Sequence, residues 1–216
     1  LVGEAQLAFD EDEDGGHHGG GSCAVGQGRV LADGGMTGEP ELSAEQLEQQ
    51  YNNRARVPDH PAVMARWKAG SEAARAAHPP ERLAYGAGER ERMDWFDAGP
   101  GAPVAVFIHG GYWQALDGSS SSHCARGLNG HGISVAVPSY DLCPNVSVGD
   151  IIGEMRAACR ELAKLGRQLV VSGHSAGGHL AACMLATDWP ACDASLPKNL
   201  VRAAYAISGL FELEPL

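Results

Sequence analysis

Between Val104 and Ile207 the chain alternates short apolar runs with longer stretches of helical spacing, and that alternation restricts it to one class of fold. Val104–Ile108, Ile133–Pro138, Gln168–Ser172 and Val201–Ile207 read as strands without the polar alternation of a half-solvated sheet. Ser120–Gly130, Val148–Leu165 and Ala176–Ala186 read as the helices between them. Strands apolar on both sides must be covered on both faces, so the order predicts an α/β architecture, a mostly parallel sheet between helical layers. Upstream, Val63, Met64, Trp67 and Ala74 recur at near-helical spacing and predict a helix from Asp59 to about His78. Leu83–Tyr85 and Arg92–Phe96 read as short strands around Gly86 and Gly88, before a Gly/Pro loop at Ala98–Pro103.

A chain of 216 residues fits one domain. The formal charge of -11 is concentrated in residues 1–35, where seven carboxylates face only Arg29, so six of the eleven excess negative charges lie there. That segment, with its D-E-D-E-D run and G-G-H-H-G-G-G, has too few large apolar side chains to offset the entropy of ordering; it reads as a disordered acidic tail preceding a domain over residues 36–216. His17 and His18 read as solvated tail residues. Met36 precedes an S-x-x-Q capping pattern at Ser43–Gln46, which makes it a candidate native start. An acidic domain with no basic stripe is a poor partner for nucleic acid or anionic membrane. Six cysteines without a C-x-x-C pair or a secretory signal suggest reduced thiols and a cytoplasmic setting. Neither phosphate-binding glycine patterns nor zinc spacing occurs, so no cofactor and no metal is expected. Self-association into a homodimer stays open.

The chemistry-bearing stretch is Gly173-His174-Ser175-Ala176-Gly177, a G-x-S-x-G at the point where a strand turns sharply into a helix. Flanking glycines let such a corner hold its serine clear of the sheet, and the helix N-terminus directs amides and a positive dipole end at it. Ser175 is therefore the candidate nucleophile; a plain β–α turn with Ser175 as N-cap is the alternative. His109-Gly110-Gly111-Tyr112-Trp113 follows the strand Val104–Ile108 directly. Acyl transfer needs donors for the oxygen of its tetrahedral intermediate, and the amides of Gly111 and Tyr112, with Gly110, would join that of Ala176. Both motifs lie at the carboxyl ends of strands, where open parallel sheets bind ligands. Trp113 would either stack on an aromatic substrate or pack in the core, and His174 suits pocket lining better than base catalysis. Tyr140 and Pro144 would shape the loop below the pocket, and Ser119–Ser122 would cap the next helix.

H-G-G-Y-W at 109–113, Tyr140-Asp-Leu-Cys-Pro144 and G-H-S-A-G-G-H at 173–179 resemble the α/β-hydrolase fold, and within it the kynurenine formamidase (arylformamidase) branch. Tyr51–Pro58 resembles the N-terminal helix region of bacterial members; the resemblance runs from about Leu42 to Leu216. It implies cofactor-free hydrolysis of a small aryl formamide or ester through an acyl-serine, N-formylkynurenine giving kynurenine and formate, with Gly111 and Tyr112 in the oxyanion hole. A small-acyl carboxylesterase and a non-catalytic protein of the same fold are the alternatives.

In this fold the acid and histidine follow the serine in the chain. His179 is the sole histidine after Ser175, four positions along the helix, and Asp188 and Asp193 lie beyond that helix's far end. Glu212 and Glu214 follow a strand but have no histidine after them. The expectation is a chain cut short, with final strands missing and little activity by itself.

Overall fold

The computed structural model describes residues 57–213 together with Ser43, Glu45, Gln46, Gln49, Asn52 and Arg56. The acidic tail, His17, His18, Cys23, Met36, Glu214 and, within Tyr51–Pro58, Tyr51, Asn53, Arg54 and Ala55 lie outside the described residues. Two compact units divide at Gln50/Tyr51. In the first, the Ser43 amide donates to Gln46 Oε1 (2.8 Å) and the Gln46 amide donates to Ser43 Oγ (3.2 Å), the reciprocal cap that the S-x-x-Q pattern predicts.

The second unit holds a six-stranded sheet: β1 (Glu81–Ala84), β2 (Arg92–Phe96), β3 (Val104–Ile108), β4 (Ser134–Pro138), β5 (Leu169–His174) and β6 (Val201–Ile207). Its spatial order is β1-β2-β4-β3-β5-β6. The β1–β2 and β2–β4 pairs are antiparallel, whereas β4–β3, β3–β5 and β5–β6 are parallel. The chain forms α1 (His60–Ala77), α2 (His123–Gly130), α3 (Val148–Ala163), α4 (Ala176–Leu185) and the short α5 (Trp189–Cys192).

Side-chain alternation divides the core between the two faces. On one face Val104, Val106, Ile108, Ala136, Leu169 and Val171 pack with Ile151, Met155 and Leu162 of α3 and Leu180 and Met184 of α4. On the other, Phe96, Val135 and Val137 meet Ala125 of α2. The buried positions Ile151, Met155, Ala158, Cys159 and Leu162 recur every three to four residues, and α3 begins at a capping box between Ser147 and Asp150.

Several boundaries differ from the sequence reading. The helix expected over Ser120–Gly130 is a 3₁₀ turn at Gly118–Ser121 followed by α2, because Asp117 Oδ1 accepts from the Ser119 amide (2.8 Å) and caps the first turn separately. Ser122, the α2 N-cap, makes no side-chain cap bond and instead accepts from Arg75 Nη1 (3.3 Å). In α1, Met64 and Trp67 are exposed while Ser71 and Ala74 are buried. That helix docks through polar contacts: Ser71 Oγ donates to Ser120 O (2.9 Å), and Arg75 pairs with the buried Asp94 of β2. Of the four apolar positions that located α1, Ala74 is buried and Val63 half-buried, while Met64 and Trp67 face outward.

Candidate active site

β5 runs two residues past the expected strand end, to His174, and the chain then reverses into α4 through Ser175. Ser175 has φ 56° and ψ -120°, a conformation costing about 1–3 kcal/mol for a residue with a Cβ, which persists only where neighbours over-determine it. They do so here. The Ser175 amide donates to Ile207 O at the end of β6 (2.8 Å), and Ser175 O accepts from the Gly178 and His179 amides (2.8 and 3.1 Å). Glycine is required around the corner by close approach: a Cβ on Gly173 would lie 2.2 Å from Gly177 O, and one on Gly177 would lie 2.1 Å from Ile108 O. The serine side chain is half-buried, and no side chain among the described residues is hydrogen-bonded to its hydroxyl.

Ile108 of β3 is in register with Gly173 of β5, so the segment 109–113 leaves the sheet beside the serine corner. A Cβ on Gly110 would meet Ser175 Cβ at 3.3 Å and His174 O at 2.7 Å, which places the glycine pair against the serine. The following backbone is left-handed at Gly111 (φ 105°), Tyr112 (56°) and Trp113 (57°), and again at Leu116 (74°). Three of these four carry a Cβ, so the loop is held in a conformation its residues disfavour in isolation. Its ties are the Gln114 and Ala115 amides donating to Gly111 O (3.0 Å each) and the Cys143 amide donating to Trp113 O (2.8 Å). Ala176, the remaining expected oxyanion donor, is fully buried at the first position of α4.

His109 is buried and stacked on Tyr140, with ring centroids 4.1 Å apart and planes 5° from parallel. Its Nδ1 lies 2.7 Å from Gly110 O, a carbonyl that can only accept, so Nδ1 carries a proton and donates it there. Burial lowers its pKa to about 4, outweighing the opposing hydrogen bond to Gly110 and the charge of Asp117. The Tyr140 hydroxyl donates to His109 O (3.0 Å) and Gly110 O (3.3 Å), and burial raises its pKa. Both residues are scaffold for the glycine loop.

The aromatic side chains are distributed differently from the sequence expectation. Trp113 is 4% exposed and lies edge-on to His179 (5.4 Å), so of its two readings the structure gives core packing, not a stacking surface. Tyr112 is 46% exposed. His174 is half-buried and meets the exposed Trp67 of α1 edge-on at 6.2 Å, and Trp67 stacks on His123 at 5.9 Å. The spacing of Trp67 predicted its helix, and local spacing had no means of showing it beside the residue that precedes Ser175. His123 Nδ1 lies at hydrogen-bonding distance from Ser71 Oγ (2.9 Å). His179 has Nε2 3.4 Å from Cys183 Sγ and is not directed at Ser175. Asp188 caps α5, and Asp193 Oδ1 accepts from the Ser195 amide (2.9 Å). Among the described residues no group of three His, Cys, Asp or Glu side chains could hold a metal ion, and no helix is long and apolar enough to cross a membrane.

The Ser175 corner and the glycine loop, on adjacent parallel strands, both lie within residues 105–210, which match a family model described as an alpha/beta hydrolase fold. The chain is an α/β-hydrolase-fold protein. This hydrolase-fold chain is similar to kynurenine formamidase of Danio rerio, with 30% identity over 197 residues that cover 84% of this chain and 65% of the relative. It is also similar to kynurenine formamidase of Drosophila melanogaster, with 33% identity covering 63% of this chain and 47% of the relative. It thus spans about two thirds or less of the length of these relatives. A crystal structure of a provisionally assigned thioesterase from a Silicibacter species superposes with a TM-score of 0.68 at 38% identity, covering 79% of this chain and 66% of that one.

Proposed function

We propose that the protein hydrolyses a small aryl formamide, N-formylkynurenine in the first instance, through a formyl-ester intermediate on Ser175. The single observation that carries this reading is the left-handed Ser175 corner with Gly110 packed against it at the carboxyl edge of the parallel sheet. Its support from outside the chain is the similarity to kynurenine formamidases over most of its length.

In the proposed reaction Ser175 Oγ attacks the formyl carbon as a base removes its proton. The carbonyl oxygen becomes an oxyanion facing the amides of Gly111, Tyr112 and Ala176, with Gly110 beside them. Collapse breaks the C–N bond, the arylamine leaves with a proton, and water then attacks the formyl ester to release formate and free the serine. The exposed Tyr112 ring, and the Trp67–His174 pair beside the nucleophile, supply aromatic surface suited to an aryl leaving group. Neither His109, which is buried and neutral, nor His179, which faces Cys183 and Trp113, is placed to act as that base.

The test uses the protein translated to the native stop codon of its reading frame. Hydrolysis of N-formylkynurenine is compared with that of p-nitrophenyl acetate, and Ser175 is challenged with a fluorophosphonate. The expected result is labelling at Ser175, loss of both on Ser175→Ala, and a higher kcat/KM for the formamide. A preference for the acetate ester assigns a small-acyl carboxylesterase instead; carboxyl-ester hydrolysis as a class is supported by the similarity to a probable isoprenylcysteine alpha-carbonyl methylesterase of Oryza sativa (27% identity). No labelling and no turnover would leave a binding protein on the same scaffold.

A further inference from the structure

The geometry points to Arg90, in the β1–β2 turn, as a positioning residue that sets the conformation of the glycine loop; this rests on the hydrolase reading above. β2 runs antiparallel to β4, with Met93 opposite Pro138, so the β1–β2 turn lies at the same sheet edge as Ser175 and the glycine loop. From that turn Arg90 Nε donates to Tyr140 O and Nη2 donates to Leu116 O, each at 2.6 Å. Leu116 is the last left-handed residue of the loop that begins at Gly111. Tyr140 is the residue whose ring stacks on His109 and whose hydroxyl donates to His109 O and Gly110 O. One guanidinium therefore fixes the far end of the glycine loop and, through Tyr140, its near end.

Three features separate this from ordinary surface bonding. Guanidinium hydrogen bonds to carbonyls are charge-assisted and hold a fixed fork geometry that a single ammonium cannot reproduce. Glu91, Asp141 and Glu154 share its electrostatic surroundings, yet the ion pairs among the described residues are Arg75–Asp94 and Lys164–Glu161, so Arg90 directs its donors at loop carbonyls and not at carboxylates. Finally, three non-glycine residues at positive φ give the loop a standing tendency to relax, and relaxation would turn the Gly111 and Tyr112 amides away from the oxyanion position. The other ties between the glycine loop and the Tyr140 segment come from within those two segments, whereas Arg90 is supplied by a separate hairpin that also anchors to Ser139 O through the Tyr85 hydroxyl.

The experiment compares Arg90→Met and Arg90→Lys with the parent, again translated to the native stop codon. Each is assayed for kcat and KM, for the rate of phosphonylation at Ser175, and for amide hydrogen exchange. The expected result for Arg90→Met is a kcat and phosphonylation rate both lowered roughly 10- to 100-fold, within the range seen on losing one oxyanion donor. KM should stay within about threefold, and exchange should rise at 111–116 and 140–144 but not in β3 or β5. Arg90→Lys, which can reach one carbonyl at a time, should fall between the two. Unchanged kcat with unchanged loop exchange overturns the inference, and so does faster exchange spread evenly over the sheet. If Arg90→Met fails to fold, Arg90→Lys decides by the same two readouts. Should Ser175→Ala retain full activity, the hydrolase reading fails instead, and loop exchange still reports whether Arg90 holds the loop.

Discussion

Replacing Gly177 by alanine tests whether the closeness of α4 to β3 is what builds the site. The added Cβ would lie 2.1 Å from Ile108 O, 2.6 Å from His109 O and 2.7 Å from Ile108 C. All three are backbone atoms at the end of a central strand, so no side chain can turn aside to make room. Relief to an ordinary contact requires the start of α4 to withdraw from β3 by about 1 Å, and overpacking of that kind costs about 1–3 kcal/mol. We expect the upper part of that range, because the sheet and the glycine loop constrain the strand end from both sides. The same withdrawal carries Ser175 and the Ala176 amide away from Gly110 and Gly111. A misplacement of about 1 Å can lower turnover on the order of 100-fold. Urea denaturation measures the first effect, as a midpoint lower by roughly 1 M for a typical slope of about 2 kcal/mol per molar. The second is read from kcat and from phosphonylation at Ser175. Gly153→Ala serves as the control: Gly153 lies inside α3 with no heavy atom within 4 Å of the added Cβ, so stability should rise by about 0.5–1 kcal/mol. A Gly177→Ala protein as stable as the parent, with unaltered labelling of Ser175, would refute the reasoning.

Two further outcomes follow from buried polar groups. His109 has its pKa lowered to about 4 by burial, so the unfolded chain takes up its proton first as pH falls: the stability it confers is complete above about pH 6.5 and is lost progressively down to about pH 4. Denaturation midpoints measured across that window should fall less steeply for His109→Gln than for the parent, and equal slopes would contradict the assignment of a neutral buried ring. Arg75→Met should destabilise by about 1–3 kcal/mol because it leaves the buried Asp94 carboxylate without its cation, the range being discounted for the partial exposure of Arg75. The double variant Arg75→Met with Asp94→Leu should recover most of that loss in the same denaturation assay, and failure to recover would show that the loss comes from packing of the arginine stem.

The sequence alone determined the order of strands and helices and the two loops that meet at the sheet edge. Each is set by local chemistry: uninterrupted apolar runs specify strands covered on both faces, and glycines occur where a serine corner and a glycine loop must approach other backbone. The G-x-S-x-G and H-G-G motifs were legible for that reason, since Gly110, Gly173 and Gly177 each face main-chain atoms that a Cβ would strike. What the sequence could not decide was which long-range neighbours each side chain meets. Trp113 and Trp67 are both tryptophans on apolar patterns, yet the first is buried against His179 while the second lies at the surface beside His174, because α1 docks through Ala74, Ser71–Ser120 and Arg75–Asp94, which leaves Trp67 outward. Arg90 belongs to no motif, and only the antiparallel return of β2 beside β4 brings it to Leu116 and Tyr140. Periodicity reports what a residue's own segment requires; the partner across the sheet is chosen by topology, which depends on contacts between residues far apart in the chain.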